Sequence, residues 1–269
     1  MKKKIIFAQP LATLLCKAPR VARRATRCLR YGCISIAVVA MAGRHPAYAD
    51  GGGGTAGWTP LAVDIWALGS TNANAVAFPP RGWGVAGLSL GGLQFGMDRS
   101  IYGVQLNLLA GSAKSMHGVQ AGLLNCAEGG CVVQSGVINA LYSDGVGLGL
   151  QVGVFNGMAE FHSDQEGFGL QAGVFNLMDD CNVVQLGLFN FANRGGRALQ
   201  VGFYNGPLLI CSSGLYSEGG VQVGVFNYTI DGKCLQIGFI NTADRSRCFQ
   251  IGLLNFHDNI ITPFLGWSF

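Results

Sequence analysis

The sequence predicts an all-β fold built from repeated strands, and three observations predict it. The unit Val221-Gln222-Val223-Gly224-Val225-Phe226-Asn227 recurs as apolar-Gln-x-Gly-apolar-apolar-Asn, with its Gln at Gln120, Gln134, Gln151, Gln171, Gln185, Gln200, Gln222, Gln236 and Gln250. Matches at four fixed positions in every copy exceed what composition yields, even with 42 Gly in the chain, and a short repeat means one supersecondary unit used many times. The period within a copy is two, and the Val, Ile and aromatic content suits a strand. A central Gly would weaken a helix by about 1 kcal/mol relative to Ala. Finally, no charged residue falls between Gln and Asn in any copy, so charge is confined to the connections.

Residues 1–49 read as an export signal. They hold ten of the 18 Lys+Arg and none of the 14 Asp+Glu. Basic residues from Lys2 to Arg30 precede an apolar run, Ile34 to Ala42, and Ala47-Tyr48-Ala49 fits a small-x-small cleavage site. The run is far shorter than the ~20 residues of a spanning helix. Residues 50–269 keep eight basic against 14 acidic side chains, a net of −6, which argues against a nucleic-acid partner. Residues 50–57, with Gly51 to Gly54 consecutive, form a flexible leader.

Residues 58–269 read as one β-repeat domain. Trp58–Leu68 and Ala75–Phe78 are apolar runs bounded by turn formers and predict strands. The repeats cover 93–256, with Gln105 opening a degraded copy and Leu93-Gln94-Phe95-Gly96 another. Polar connections such as Asp231-Gly232-Lys233, Asp244-Arg245-Ser246 and Asn193-Arg194-Gly195-Gly196 separate the strands. From Gln105 the Gln-to-Gln steps are 15, 14, 17, 20, 14, 15, 22, 14 and 14 residues. After a strand of about eight residues too few remain for a helical crossover. That leaves an antiparallel meander or a stacked solenoid.

Two observations favour the meander at this level. The steps drift, whereas solenoid coils hold a constant length apart from insertions. A straight period of two also puts Val221, Val223, Val225 and Asn227 on one face and Gly220, Gln222, Gly224 and Phe226 on the other, so a solenoid would expose an apolar stripe larger than monomers normally carry. A closed outer-membrane barrel of about 12–14 antiparallel strands gives the first face to lipid and the second to a narrow lumen. The end of the chain, residues 260–269 with Leu265, Trp267 and Phe269 in alternation, looks like the terminal strand that barrel-insertion machinery recognises. The alternative is a β-solenoid or open repeat sheet.

The pattern Gly-Val-Gln-x-Gly-apolar-apolar-Asn, seen at 118–125 and 220–227, resembles the surface-repeat family described in spirochaete and other bacterial envelope proteins. The resemblance implies an exported protein at the outer membrane or cell surface, with no catalytic residues to carry over. The expected role is therefore non-enzymatic: an outer-membrane or surface-exposed β-repeat protein with a structural role or weak pore, in contact with the lipid bilayer and its insertion machinery. The alternative is a surface or periplasmic β-solenoid binding module.

No residue is assigned a catalytic, cofactor or metal role. Gly87-Leu88-Ser89-Leu90-Gly91 matches the nucleophile-elbow pattern but lacks the helix that chemistry needs. Gly82-Trp83-Gly84-Val85-Ala86-Gly87 matches a dinucleotide fingerprint and again lacks a following helix. His117, His162 and His257 read as loop histidines, and Glu160, Asp164 and Glu166 as a solvated loop that could touch a divalent cation weakly. Beyond residue 49 the cysteines are Cys126, Cys131, Cys181, Cys211, Cys234 and Cys248. Cys126 and Cys131 flank a turn and could bridge. Cys234 and Cys248 are equivalent in successive copies; they are neighbours in a parallel solenoid but begin opposite ends of adjacent strands in a meander.

Overall fold

The structure, a computed structural model, describes residues 57–68, 76–78, 83–95, 99–143, 148–160, 168–179, 182–193, 197–207, 220–257 and 260–268. The elements are β1 (Gly57–Leu68), β2 (Val76–Phe78), β3 (Trp83–Phe95), β4 (Ser100–Ala113), β5 (Ser115–Ala121), β6 (Leu124–Ala127), β7 (Cys131–Ser143) and β8 (Leu148–Glu160). They continue with β9 (Phe168–Asp179), β10 (Asn182–Asn193), β11 (Ala198–Gly206), β12 (Gly220–Ile230), β13 (Lys233–Asp244), β14 (Arg247–His257) and β15 (Ile260–Trp267). No helix occurs among the described residues.

The strands are parallel and in register from β3 to β14, which replaces the predicted barrel with a β-solenoid. Gln171 pairs with Gln185, Gly173 with Gly187, and Asn176 with Asn190. The same matching joins Gln222, Gly224 and Asn227 to Gln236, Gly238 and Asn241. Only β1–β2 and β14–β15 are antiparallel, and the strand order runs from β2 at one edge to β15 at the other without closing.

Connection length then dictates the shape of each coil. Lys233 at the start of β13 pairs with Arg247 at the start of β14. Were β13 straight, its 12 residues would end about 40 Å from that point. Residues 245 and 246 span far less. Each repeat therefore folds back on itself at the Gly-apolar-apolar stretch, giving one coil with two short legs. Counting from Gln as position 0, positions −2 and 0 point inward from the first leg and +5 and +7 from the second. Gln236 Nε2 accordingly donates to Thr242 O on the opposite leg, at 3.1 Å.

This bend explains where a uniform period of two fails. Alternation holds up to Gly224, then Val225 and Phe226 are both exposed and Asn227 is buried. Asn is thus an interior residue and Phe an exterior one, the reverse of the predicted faces. The drifting steps have an equally simple origin. The long ones, 134 to 151, 151 to 171 and 200 to 222, carry their extra residues after the second leg, and register on both sides is unbroken.

Inside the coils, Val132, Leu141, Met158, Met178, Val183 and Ala198 form an apolar core beside the amides. Volume is matched across the legs: a Cβ at Gly169 would lie 2.6 Å from Met158 Sδ. Cys234 and Cys248, both at position −2, are joined by a disulfide with Cα atoms 4.5 Å apart. Cys126 is buried and Cys131 exposed, and no disulfide joins them. Cys181 and Cys211 lie outside the described residues. Closing a loop of this length contributes about 3 kcal/mol in the chain-entropy account. Reduction, or Cys248→Ser, is expected to lower stability by about 2–4 kcal/mol, read as a drop in urea midpoint. An unchanged midpoint would refute the bridge.

Candidate interaction surface

Two ladders of side-chain amides hold the stack together, and they account for the residues that define the repeat. Gln250 Nε2 donates to Gln236 Oε1 at 2.8 Å, Gln236 to Gln222 at 2.9 Å, and the chain continues through Gln185, Gln171 and Gln151 to Gln120 and Gln105. Every step donates toward the N-terminal end. The Asn ladder runs the other way, each Nδ2 donating to the next Oδ1, as in Asn176 to Asn190 at 2.9 Å and Asn241 to Asn255 at 2.8 Å. The opposed directions set one row of amide dipoles against the other.

The second N–H is used as well in most of these amides. Gln171 Nε2 also donates to Leu177 O across the coil at 3.1 Å, and Asn176 Nδ2 to Leu186 O of the next coil at 3.1 Å. Buried amides are tolerable only when satisfied in this way. The Gln row therefore fills the interior and is no polar path for solutes: Gln120, Gln134, Gln151, Gln171 and Gln185 are fully buried.

At the N-terminal end the ladder is completed by residues outside the repeat. Register places Ser89 opposite Gln105, and Gln94 in the Asn row through Gly111 and Asn125. The copy expected at Leu93-Gln94-Phe95-Gly96 is thus displaced. Ser89 is too short to continue the ladder, so Gln94 reaches across from the second leg and accepts from Gln105 Nε2 at 2.6 Å. Gln94 in turn donates to Asp64 Oδ2 at 2.6 Å, and Arg99 Nη1 donates to the same oxygen at 2.7 Å. A row of donors ends on a carboxylate. Burial raises the Asp64 pKa above the ordinary carboxylate value, outweighing Arg99.

The other end is closed by β15. Its antiparallel run sets Gly266 opposite Gln250 and Thr262 opposite Asn255, and Asn255 Nδ2 donates to Thr262 O at 3.3 Å. The terminal strand read as a barrel-insertion signal is here a cap. A reversed strand without the Gln and Asn side chains cannot pass the ladder on to another copy, which protects an otherwise open edge.

The sequence motifs for chemistry are not assembled. Ser89 is buried within a strand and accepts from Gln94 Nε2 at 3.3 Å, so there is no elbow. The glycine-rich 83–87 lies in the same strand, with no helix after it. His117 stacks on Tyr102 with centroids 4.6 Å apart, and His257 is buried at position +7; neither is a loop residue. His162, Asp164, Glu166 and the Glu160 side chain lie outside the described residues. Asn227-Tyr228-Thr229 spells a glycosylation sequon, but Asn227 sits buried in its ladder.

The outer surface of the first leg and the bend is the feature left unpartnered. Positions −1 and +1 point outward there, and +3 and +4 form the bend. Leu188 at +3 is 54% exposed, Phe239 57% and Leu108 75%; Val152, Leu186 and Ile251 at +1 are exposed too. At +4, Phe155, Phe175 and Phe189 stack with centroids 4.9 and 5.0 Å apart. Ten coils carry Gln at position 0, so this apolar edge extends about 43 Å at one strand spacing per coil. Two residues before the apolar row at −1 lies the next outward position, −3. It reads Tyr102, His117, Cys131, Leu148, Phe168 and Asn182 toward the N-terminal end and, with Gly219 of the Gln222 coil lying outside the described residues, then Arg197, Lys233 and Arg247. These last three border a groove of about 1020 Å3 along the C-terminal coils.

Sequence reasoning read the apolar stripe correctly as a consequence of a solenoid, then used it to reject one. Comparison with protein-family models, curated proteins and solved structures finds no match for the chain.

Proposed function

We propose that the chain is an exported, non-enzymatic β-solenoid interaction module of the bacterial envelope, and that its apolar edge lies against a lipid surface. The observation that carries this reading is the edge itself. It is continuous over successive coils, lacks any charged residue between Gln and Asn, and exposes large side chains such as Leu188, Phe239 and Leu253. Contiguous apolar surface on this scale marks an interaction site.

Its form favours a fluid partner. The most exposed side chains sit on the outside of a bend and make a ridge, which can enter an acyl layer without a complementary groove. The charged residues Asp231, Lys233, Asp244 and Arg247 lie at the opposite ends of the legs. Amphipathic segments bind membrane surfaces with the same division, burying their apolar face about 5–10 Å. The export signal and the resemblance to envelope surface-repeat proteins agree with this setting. The amide ladders serve as the rigid frame that holds the edge in line.

The test is co-sedimentation of the chain lacking residues 1–49 with phosphatidylcholine vesicles. Binding is expected, and Leu188→Asn, Phe239→Asn and Leu253→Asn together are expected to weaken it at least about tenfold, since each removes several buried CH2 equivalents. These side chains are already in solvent, so the fold should survive. Absence of vesicle binding, together with concentration-dependent self-association, would replace the lipid by a second copy of the chain.

A further inference from the structure

We infer that the row Arg197, Lys233 and Arg247 makes the C-terminal half of the solenoid selective for anionic lipid headgroups. This rests on the lipid-facing reading of the apolar edge and names the lipid class that edge would choose.

The placement follows from the coil geometry. In β14, Arg247, Phe249 and Ile251 are exposed while Cys248 and Gln250 are buried, so the three share one outer face. Leu199 and Val201 stand in the same relation to Arg197. Lys233 and Arg247 are register partners on adjacent strands, which sets them about one strand spacing, ~4.8 Å, apart. From position −3 to +1 the leg advances four residues, about 13 Å. With the bend in the acyl layer, the cations therefore stand at headgroup depth.

Charge on this face is unbalanced. Among the described residues lining the groove the only acid is Asp231, and Arg245 Nη2 holds it at 2.9 Å. Among the described residues no carboxylate forms an ion pair with Arg197, Lys233 or Arg247. The groove also has an apolar floor, Val184, Leu199 and Val221, all at position −1. Cations over an apolar wall suit an amphiphile with a phosphate headgroup better than a free anion.

The row changes character along the stack. Toward the N-terminal end the same position carries Tyr102 and His117, and Trp58 packs edge-on against Tyr102 with centroids 5.3 Å apart. Aromatic residues of this kind favour the interface of any bilayer, whatever its charge. Selectivity for anionic lipid is therefore confined to the C-terminal coils.

The test measures binding of the chain lacking residues 1–49 to phosphatidylcholine vesicles with and without phosphatidylglycerol, alongside the triple variant Arg197→Gln, Lys233→Gln, Arg247→Gln. Each cation near an anionic surface is worth roughly fivefold in affinity, so the three together should give on the order of a hundredfold. The native chain is expected to gain that factor from phosphatidylglycerol and to lose most of it at high salt. The variant should bind neutral vesicles like the native chain and gain little from the anionic lipid. Equal binding of the native chain to both vesicles overturns the inference while leaving the lipid-facing edge intact. A full gain retained by the variant does the same. Failure to bind either vesicle overturns the lipid reading, and this inference with it.

Discussion

Gly173→Val is expected to destabilise the solenoid by at least about 4 kcal/mol, the range reserved for changes the structure cannot absorb. Gly173 sits at position +2, where the chain begins its bend, and a Cβ there would overlap the carbonyl oxygen of Gly153 in the preceding coil. It would also lie 3.2 Å from that carbonyl's carbon and 2.5 Å from Asn156 Nδ2. Those contacts are backbone and a ladder amide, neither of which can move without opening the stack. Gly157, one residue past the Asn of its own coil, is the control: its nearest contact to an added Cβ is Asn139 O at 3.8 Å. Gly157→Ala is expected to be neutral or to stabilise by about 0.4–1 kcal/mol, through the unfolded chain.

The pattern of unfolding should differ as well as its magnitude. Stability in a stacked repeat is a sum of coil terms and nearest-neighbour interfaces, and Gly173 faces the interface between β8 and β9. Weakening that one interface should divide a single urea transition into two, with β9 to β15 and the earlier coils melting separately. One cooperative transition with an unchanged midpoint would refute the close approach.

How much of this was legible in the sequence depends on which physical constraint is considered. Strand character, exclusion of helical crossovers and the disulfide criterion rest on local chemistry, and they hold; confinement of charge to the connections does not, since Lys233 and Asp244 lie in β13, Arg247 in β14 and the buried Asp64 in β1. The barrel fails because it requires a straight strand. Straight alternation counts the Gly-Val-Phe stretch at 224–226 as two further steps, whereas the coil bends there and a Cβ at Gly224 would overlap Gly202 O of the preceding coil. One residue of slip moves every later side chain to the other face. Straight alternation therefore sends Asn227 to lipid and Phe226 to a lumen. The clue lay in the motif: nine Asn residues on a lipid face are unreasonable, while nine Asn residues in a ladder are not.

The N-terminal end was hidden for another reason. Ser89 and Gln94 divide between them the work of one ladder Gln, so neither matches the motif in place. Asp64 and Arg99, 35 residues apart, join it only in three dimensions. The −3 row was likewise invisible as a row, because Arg197, Lys233 and Arg247 acquire a common face only when the coils are in register.

Gln171→Glu should give a destabilisation that depends on pH, and its sign follows from the ladder. Gln171 is fully buried, and its Nε2 donates to Gln151 Oε1 at 2.8 Å and Leu177 O at 3.1 Å. Its Oε1 accepts from Gln185 Nε2 at 2.8 Å. Glutamate has the same shape, so no cavity forms, but an ionised carboxylate would turn an oxygen toward two acceptors. Desolvation and those acceptors both disfavour the charged form, so the folded-state pKa must rise above the unfolded value of about 4.3. A raised carboxylate leaves the folded state least penalised below that unfolded value, and stability is lost as pH climbs toward the folded pKa, at about 1.4 kcal/mol per pH unit. Relative to the native chain, the variant should be about 3–4 kcal/mol worse at pH 7 than at pH 4. The difference between the two chains is the quantity to measure, because the buried Asp64 contributes a pH dependence common to both. A penalty independent of pH would mean that position 171 reaches water, and that the Gln row is not the closed ladder through which the stack holds its edge straight.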